Sequence, residues 1–157
     1  MAEWTGKEIK FPDNFECNLQ GSDTVSSLCA ELLDSEYKIL LYIDSTGCTS
    51  CKLRLFEWRQ LMQEADRLFP YKVKFLFFFH PQNIAELNYF LLRDRMDYPV
   101  FIDKNDTIYK LNKFPSEEQF QCFLLDKNNM VLAIGNPVLN PKIWKLYKDI
   151  IIENKKE

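Results

Sequence analysis

No apolar run in this 157-residue chain approaches the ~20 residues needed to cross a bilayer; the longest, Phe75 to Phe79, suits a buried strand. A helical integral membrane protein is thereby excluded. Excess charge of one sign is missing too. A net charge of −3 gives no electrostatic footprint for nucleic acid. Internal repeats, low-complexity tracts and linkers are absent, which removes collagen and coiled coil. The opening residues, Met1 to Glu8, lack a basic segment followed by an apolar one. Two readings follow: a cytoplasmic chain, or a mature chain whose export signal or lipid anchor has been removed.

What is present is the balance of a globular protein, with 46% apolar and 27% charged residues. Aromatics at 15%, including 13 phenylalanines, supply one dense core, so residues 1–157 read as a single domain. Five cysteines is an odd number, which rules out a complete intramolecular disulfide framework. A core of this size needs no covalent staples.

Along the chain, Phe15, Cys17 and Leu19 alternate with polar residues as in a half-buried strand. Val25, Leu28, Cys29, Leu32 and Leu33 then follow at helical spacing over residues 24–34. Lys38 to Ile43 is nearly continuous apolar, as a strand covered on both faces should be. Leu55, Trp58, Met62, Ala65 and Phe69 mark a long helix ended by Pro70. Val73 to Phe79 is a second buried strand, Ile84, Leu87 and Leu91 mark a helix, and Tyr98 to Asp103 is another short strand. Phe120 to Leu125 and Met130 to Ile134 read as a β-hairpin around Asp126 to Asn129. Asn140 caps a last helix opened by Pro141, with Ile143, Leu146, Tyr147, Ile150 and Ile151 as its core face.

Chemistry concentrates in Cys48-Thr49-Ser50-Cys51, a Cys-x-x-Cys where a buried strand gives way to a helix. At a helix start, unpaired N–H groups and the positive dipole end stabilise a thiolate at Cys48. Lys52 and Arg54 add positive charge. The thiolate is the attacking species in disulfide exchange, and Cys51, one helical turn on, can attack the mixed disulfide that Cys48 forms. The plainer readings are a half zinc site or two core cysteines. A four-cysteine zinc site needs a second pair, and Cys17, Cys29 and Cys122 do not supply one. No metal site is therefore expected, and His80, before Pro81, reads as a packing or capping residue. Cys17 and Cys29 sit on apolar faces and read as small core hydrophobes. Cys122, on one strand face with Phe120 and Leu124, reads as core or as a third redox thiol.

The segment KILLYIDSTGCTSCKLRLFEWRQLMQEA resembles the active-site unit of the thioredoxin-like superfamily. YPVFIDKNDTIYKLNKF and FLLDKNNMVLAIGNP are similar to the inserted segment and closing hairpin of its redoxin branch. That branch holds exported bacterial thiol-disulfide oxidoreductases and the alkyl hydroperoxide reductase/thiol-specific antioxidant group. The resemblance implies an α/β thioredoxin-like fold: a central mixed sheet flanked by helices, a redoxin-type strand insertion, and a C-terminal hairpin plus helix.

It also implies a thiol-disulfide oxidoreductase, more as a reductant than an oxidant or isomerase, with Cys48 the nucleophile and Cys51 the resolving thiol. Its partners would be protein disulfides or dithiols and an upstream electron donor, with no bound cofactor and no nucleic acid. Its place would be the periplasm or another exported setting.

The departures from the family pattern are specific. Gly47 replaces the usual aromatic residue, and Thr49-Ser50 replaces a proline-containing pair. Tyr42 occupies the place of the buried proton-handling aspartate, leaving Asp44 as a substitute or a solvated loop residue. The cis-proline place falls on Phe120, where a trans bond is expected and the ring would partly cover the cysteines. A peroxiredoxin-like peroxidase is the second reading: Ser45 fits that family's loop, but Leu41 stands where it has proline and its arginine is not identifiable. A non-catalytic binding module is the third.

Overall fold

The apolar runs Ile39–Ile43 and Phe75–Phe79 within two eight-residue strands place them at the centre of the sheet, where both faces are covered. The computed structural model describes residues 3–13, 16–18, 26–44, 54–80, 83–95 and 98–155. The strands are β1 (Glu16–Asn18), β2 (Tyr37–Asp44), β3 (Val73–His80), β4 (Val100–Ile102), β5 (Cys122–Leu125) and β6 (Val131–Ile134). The helices are α1 (Ser26–Leu33), α2 (Leu55–Leu68), α3 (Ile84–Arg93), α4 (Thr107–Asn112) and α5 (Pro141–Lys155). Among the described residues the sheet runs β1-β4-β3-β2-β5-β6. Strands β2, β3 and β4 are parallel to one another, while β1, β5 and β6 add antiparallel pairings.

Strand alternation divides the apolar side chains between two faces. Ile39, Leu41, Ile43, Phe75, Phe77 and Phe79 pack with Trp58, Leu87, Trp144 and Tyr147 from α2, α3 and α5. Leu40, Tyr42, Leu76 and Phe78 pack on the other side with Cys29, Leu32, Ile108 and the N-terminal Trp4 and Ile9. The N-terminal segment is tied beside β6 by Gly6 N–H to Val131 O, and by Ile9 N–H to Asn129 O, both at 2.8 Å.

Local signals in the sequence explain the helix ends. Asn83 accepts the Glu86 amide at 3.1 Å, and Asn140 accepts the Lys142 amide at 3.0 Å, both as N-caps. At the start of β2, Lys38 is fully buried, and its ammonium donates to Leu33 O at 2.8 Å and Lys127 O at 3.2 Å. Burial pulls its pKa below the ordinary lysine value, against the opposing pull of Asp126 and Asp34.

Four expectations are corrected. Cys17 and Cys29 are not separate core hydrophobes but a disulfide, Cα atoms 6.4 Å apart, joining β1 to α1. In the chain-entropy account, closing a loop of about this length contributes about 3 kcal/mol. On α5, Trp144 rather than Leu146 belongs to the core: Leu146 is 43% exposed and Trp144 8%. Helix α4 was not foreseen after the Tyr98–Asp103 strand. Its amides at Thr107 and Ile108 are held at 3.0 and 2.8 Å by the buried carboxylate of Asp103.

The fourth correction concerns the start of the hairpin. Residues Glu118–Phe120 form a 3-10 turn, so β5 starts at Cys122. Phe120 and Cys122 therefore do not share a strand face. Phe120 packs against the cluster on the Trp4 and Ile108 side of the sheet, whereas Cys122 and Leu124 belong to the cluster on the α2 and α5 side.

Candidate active site

The parallel strands β2 and β3 end side by side at Asp44 and His80, which are paired in register. In open α/β sheets this end of the strands is where ligands meet the protein. Cys48, Thr49, Ser50, Cys51 and Lys52 lie outside the described residues. What is described is the frame on either side of them in sequence: β2 up to Asp44 and α2 from Leu55. Arg54, immediately before α2, has a left-handed backbone with φ 42°. The helix start expected at Cys48 likewise lies outside the described residues.

Asp44 is half-buried and borders a small cleft with Tyr42, Glu118, Gln121 and Asn136. Tyr42, in the family's aspartate place, is buried and donates from Oη to Asp106 Oδ1 at 2.6 Å. Burial first, then that hydrogen bond, pushes its phenol far above the ordinary tyrosine value. Tyr42 therefore stays neutral and handles no proton at physiological pH. His80 fits the packing reading: it is partly buried, and Nδ1 lies 2.9 Å from Asp103 O.

The wall opposite Asp44 comes from the turn before β5 and the loop after β6. Tyr42 N–H donates to Gln121 O at 3.0 Å, which holds the turn against the end of β2. The Gln121 side chain donates to Pro115 O at 3.0 Å, and Asn136 Oδ1 accepts the Val138 amide at 2.9 Å. These two buried amide side chains set the loops around the cleft. Sequence reasoning missed both, because their partners are backbone groups that no residue pattern announces. Phe120, half-buried, ends the same turn, and among the described residues no peptide bond is cis.

Cys122 is fully buried and free, and burial drives its thiol well above the ordinary cysteine value. A thiol that cannot ionise or meet solvent is core, not a redox group. Among the described residues no cluster of His, Cys, Asp and Glu is gathered as a metal requires. No described helix is long and apolar enough to cross a membrane. A larger cavity, about 360 Å³, opens at the far end of β3 between Arg59, Met62, Asp66, Val73, Phe75 and Tyr98. An eight-residue strand separates it from Asp44, roughly 25 Å.

No protein-family model and no curated protein matches the sequence. Solved structures do resemble the chain. The thioredoxin domain of a thiol-disulfide oxidoreductase from Bacteroides vulgatus aligns at TM-score 0.60 and 13% identity, over 91% of this chain and 97% of that one. The fold is thioredoxin-like. A thioredoxin-like protein from Bacteroides caccae gives 0.54 at 16% identity over 75% of this chain, which spans 42% of that protein's length. The bacterioferritin comigratory protein of Xanthomonas campestris, described for alkyl peroxide reduction, gives 0.55 at 11% identity over 74% of this chain and 81% of that one. Thioredoxin-like neighbours thus carry more than one thiol chemistry, and at these identities the likeness establishes architecture alone.

Proposed function

We propose that the chain is a thiol-disulfide oxidoreductase that reduces protein disulfides, with Cys48 as nucleophile and Cys51 as resolving thiol. The observation that carries this reading is the placement of a Cys-x-x-Cys between the central strand β2 and helix α2 of a thioredoxin-like fold. The Cys48 thiolate attacks a substrate sulfur, forming a mixed disulfide and releasing the first substrate thiolate, which takes up a proton. Cys51 then attacks Cys48, releasing the second substrate thiol and leaving a Cys48–Cys51 disulfide. An upstream dithiol donor supplies two electrons and two protons to restore the pair. No bound cofactor is called for. Lys52 lowers the thiolate's energy by its charge, and the hydroxyls of Thr49 and Ser50 offer it donors.

One domain over residues 1–157 and an exported setting belong to the same proposal. The Cys17–Cys29 disulfide supports the setting, since disulfides persist in oxidising compartments and are rare in the cytosol.

Reduction of insulin in the presence of dithiothreitol is the test. Wild type accelerates it, Cys48→Ser does not, and Cys51→Ser accumulates mixed disulfide. An undiminished rate in Cys48→Ser overturns the proposal. The peroxidase reading draws on Ser45 and is read on the same preparation: rapid peroxide consumption that survives Cys51→Ser but not Cys48→Ser would replace reduction of disulfides as the function.

A further inference from the structure

Among the described residues β1 lies at the sheet edge, paired as Glu16 with Ile102, Cys17 with Phe101 and Asn18 with Val100. The Lys104–Glu16 ion pair at 3.1 Å is solvent-exposed on both sides and adds little. Beneath β1 lies surface that is costly to uncover. Val100, Phe101 and Ile102 are all buried, and without β1 their outward N–H and C=O groups form a bare sheet edge.

The two sulfurs that bind β1 to α1 differ in access. Cys17 is half-buried at the rim. Cys29 is 1% exposed, in a cluster with Leu32, Leu40, Leu76, Phe78 and Phe101. Cys17 is therefore the more accessible partner for an external thiolate. The leaving group is then Cys29, whose thiolate would form among apolar side chains that do not solvate charge. Restricted access and a poor leaving group both slow exchange.

We propose that Cys17–Cys29 is a shielded clasp that fixes β1 across the β4 edge, resists thiol reductants in the folded chain, and on cleavage lays that edge open. Cleavage runs by attack of an external thiolate on Cys17, with breakage of the S–S bond and protonation of Cys29 as it leaves. A second external thiol then displaces Cys17 from the mixed disulfide. In sum, two thiols become one external disulfide, and the clasp gains two electrons and two protons. The clasp does not depend on how Cys48 and Cys51 react.

The experiment uses the full chain carrying C48S and C51S, so that exchange through the other pair is absent. Dithiothreitol is added to native and to urea-unfolded protein, and alkylation of Cys17 and Cys29 is followed by peptide mass. The clasp should open about tenfold or more slowly in the native chain, as access and leaving-group control require. Hydrogen exchange at the amides of Val100 to Ile102 should accelerate once it is cut, and in Cys17→Ser it should be fast without reductant. Equal rates in native and unfolded chains overturn the shielding. Unchanged exchange in β4 after complete cleavage overturns the clasp. Peptide mapping of wild type gives the same comparison if the double variant misfolds.

Discussion

Trp144 Nε1 donates to Glu64 Oε2 at 2.6 Å, tying the last helix α5 to α2 on one face of the sheet. Lys148 Nζ approaches the other carboxylate oxygen at 3.4 Å. The indole bond, ahead of the lysine charge, holds the Glu64 carboxyl below the ordinary glutamate value. A carboxyl depressed in the folded state stabilises above its unfolded pKa, and that contribution is lost as pH falls through the folded pKa. Glu64→Gln should therefore cost about 0.5–1 kcal/mol at pH 7, a figure kept small by the partial exposure of the site. Urea denaturation of both proteins should show the difference closing below about pH 4. A gap independent of pH would mean that packing, not charge, ties the helices.

Lys38 gives the opposite dependence. Its folded pKa is lowered by burial, so the unfolded chain binds more protons as pH rises past the folded value. Wild type should gain stability relative to Lys38→Met as pH rises on the alkaline side, up to the unfolded lysine pKa. At pH 7, removing the ammonium leaves two carbonyl oxygens without their donor, a cost of about 1–3 kcal/mol. Lys38→Ala should lose more, because it also leaves a cavity. Thermal unfolding of the two variants across pH 7 to 10 measures both effects.

Cys122 should resist iodoacetamide in the folded protein and react only on unfolding. Cys122→Ser should leave disulfide exchange unchanged while lowering stability by about 1–3 kcal/mol, the cost of a hydroxyl in an apolar site. Loss of exchange activity in a variant that stays folded would restore a redox role to this thiol.

Phe120→Ala separates a site residue from a packing residue. A half-buried ring at the margin of its cluster should cost about 1–3 kcal/mol on truncation, less than the ~3–5 of a fully buried phenylalanine. If the ring also covers the cysteines, protein disulfides should react faster with the variant while dithiothreitol reacts at the same rate. Stability loss with both rates unchanged assigns the ring to packing alone.

Much of the architecture was legible because it follows from periodicity. The central strands announced themselves by nearly continuous apolar sequence, and α2 by Leu55, Trp58, Met62, Ala65 and Phe69, all buried except the partly buried Met62. Features fixed by distant partners were not legible. Helix α4 is capped from Asp103 rather than from Asp106, which has a left-handed backbone and makes no side-chain cap. The Cys17–Cys29 bond depends on how α1 lies over the sheet edge, which alternation along β1 does not reveal. Leu146 and Trp144 are two positions apart on α5, and only the tilt of that helix decides which goes inward. At the candidate site, Cys48 and Cys51 lie outside the described residues and stay an expectation from spacing, while Gln121 and Asn136 were not legible, since each answers to backbone groups in loops.

The buried ammonium of Lys38 has a consequence for strand register. Strands β2 and β3 are apolar on both faces, so sliding one past the other by a single residue would exchange one oily surface for another. Hydrophobic pattern alone discriminates poorly between such alignments. Lys38 does discriminate: opposite Lys74 and Leu125, its Nζ meets the carbonyls of Leu33 and Lys127. In a slipped pairing the same charge would turn to the opposite apolar face without those acceptors, a penalty of several kcal/mol. A buried ammonium at the start of a largely apolar strand thus serves as an indexing pin, making one alignment of the central sheet affordable and its neighbours not.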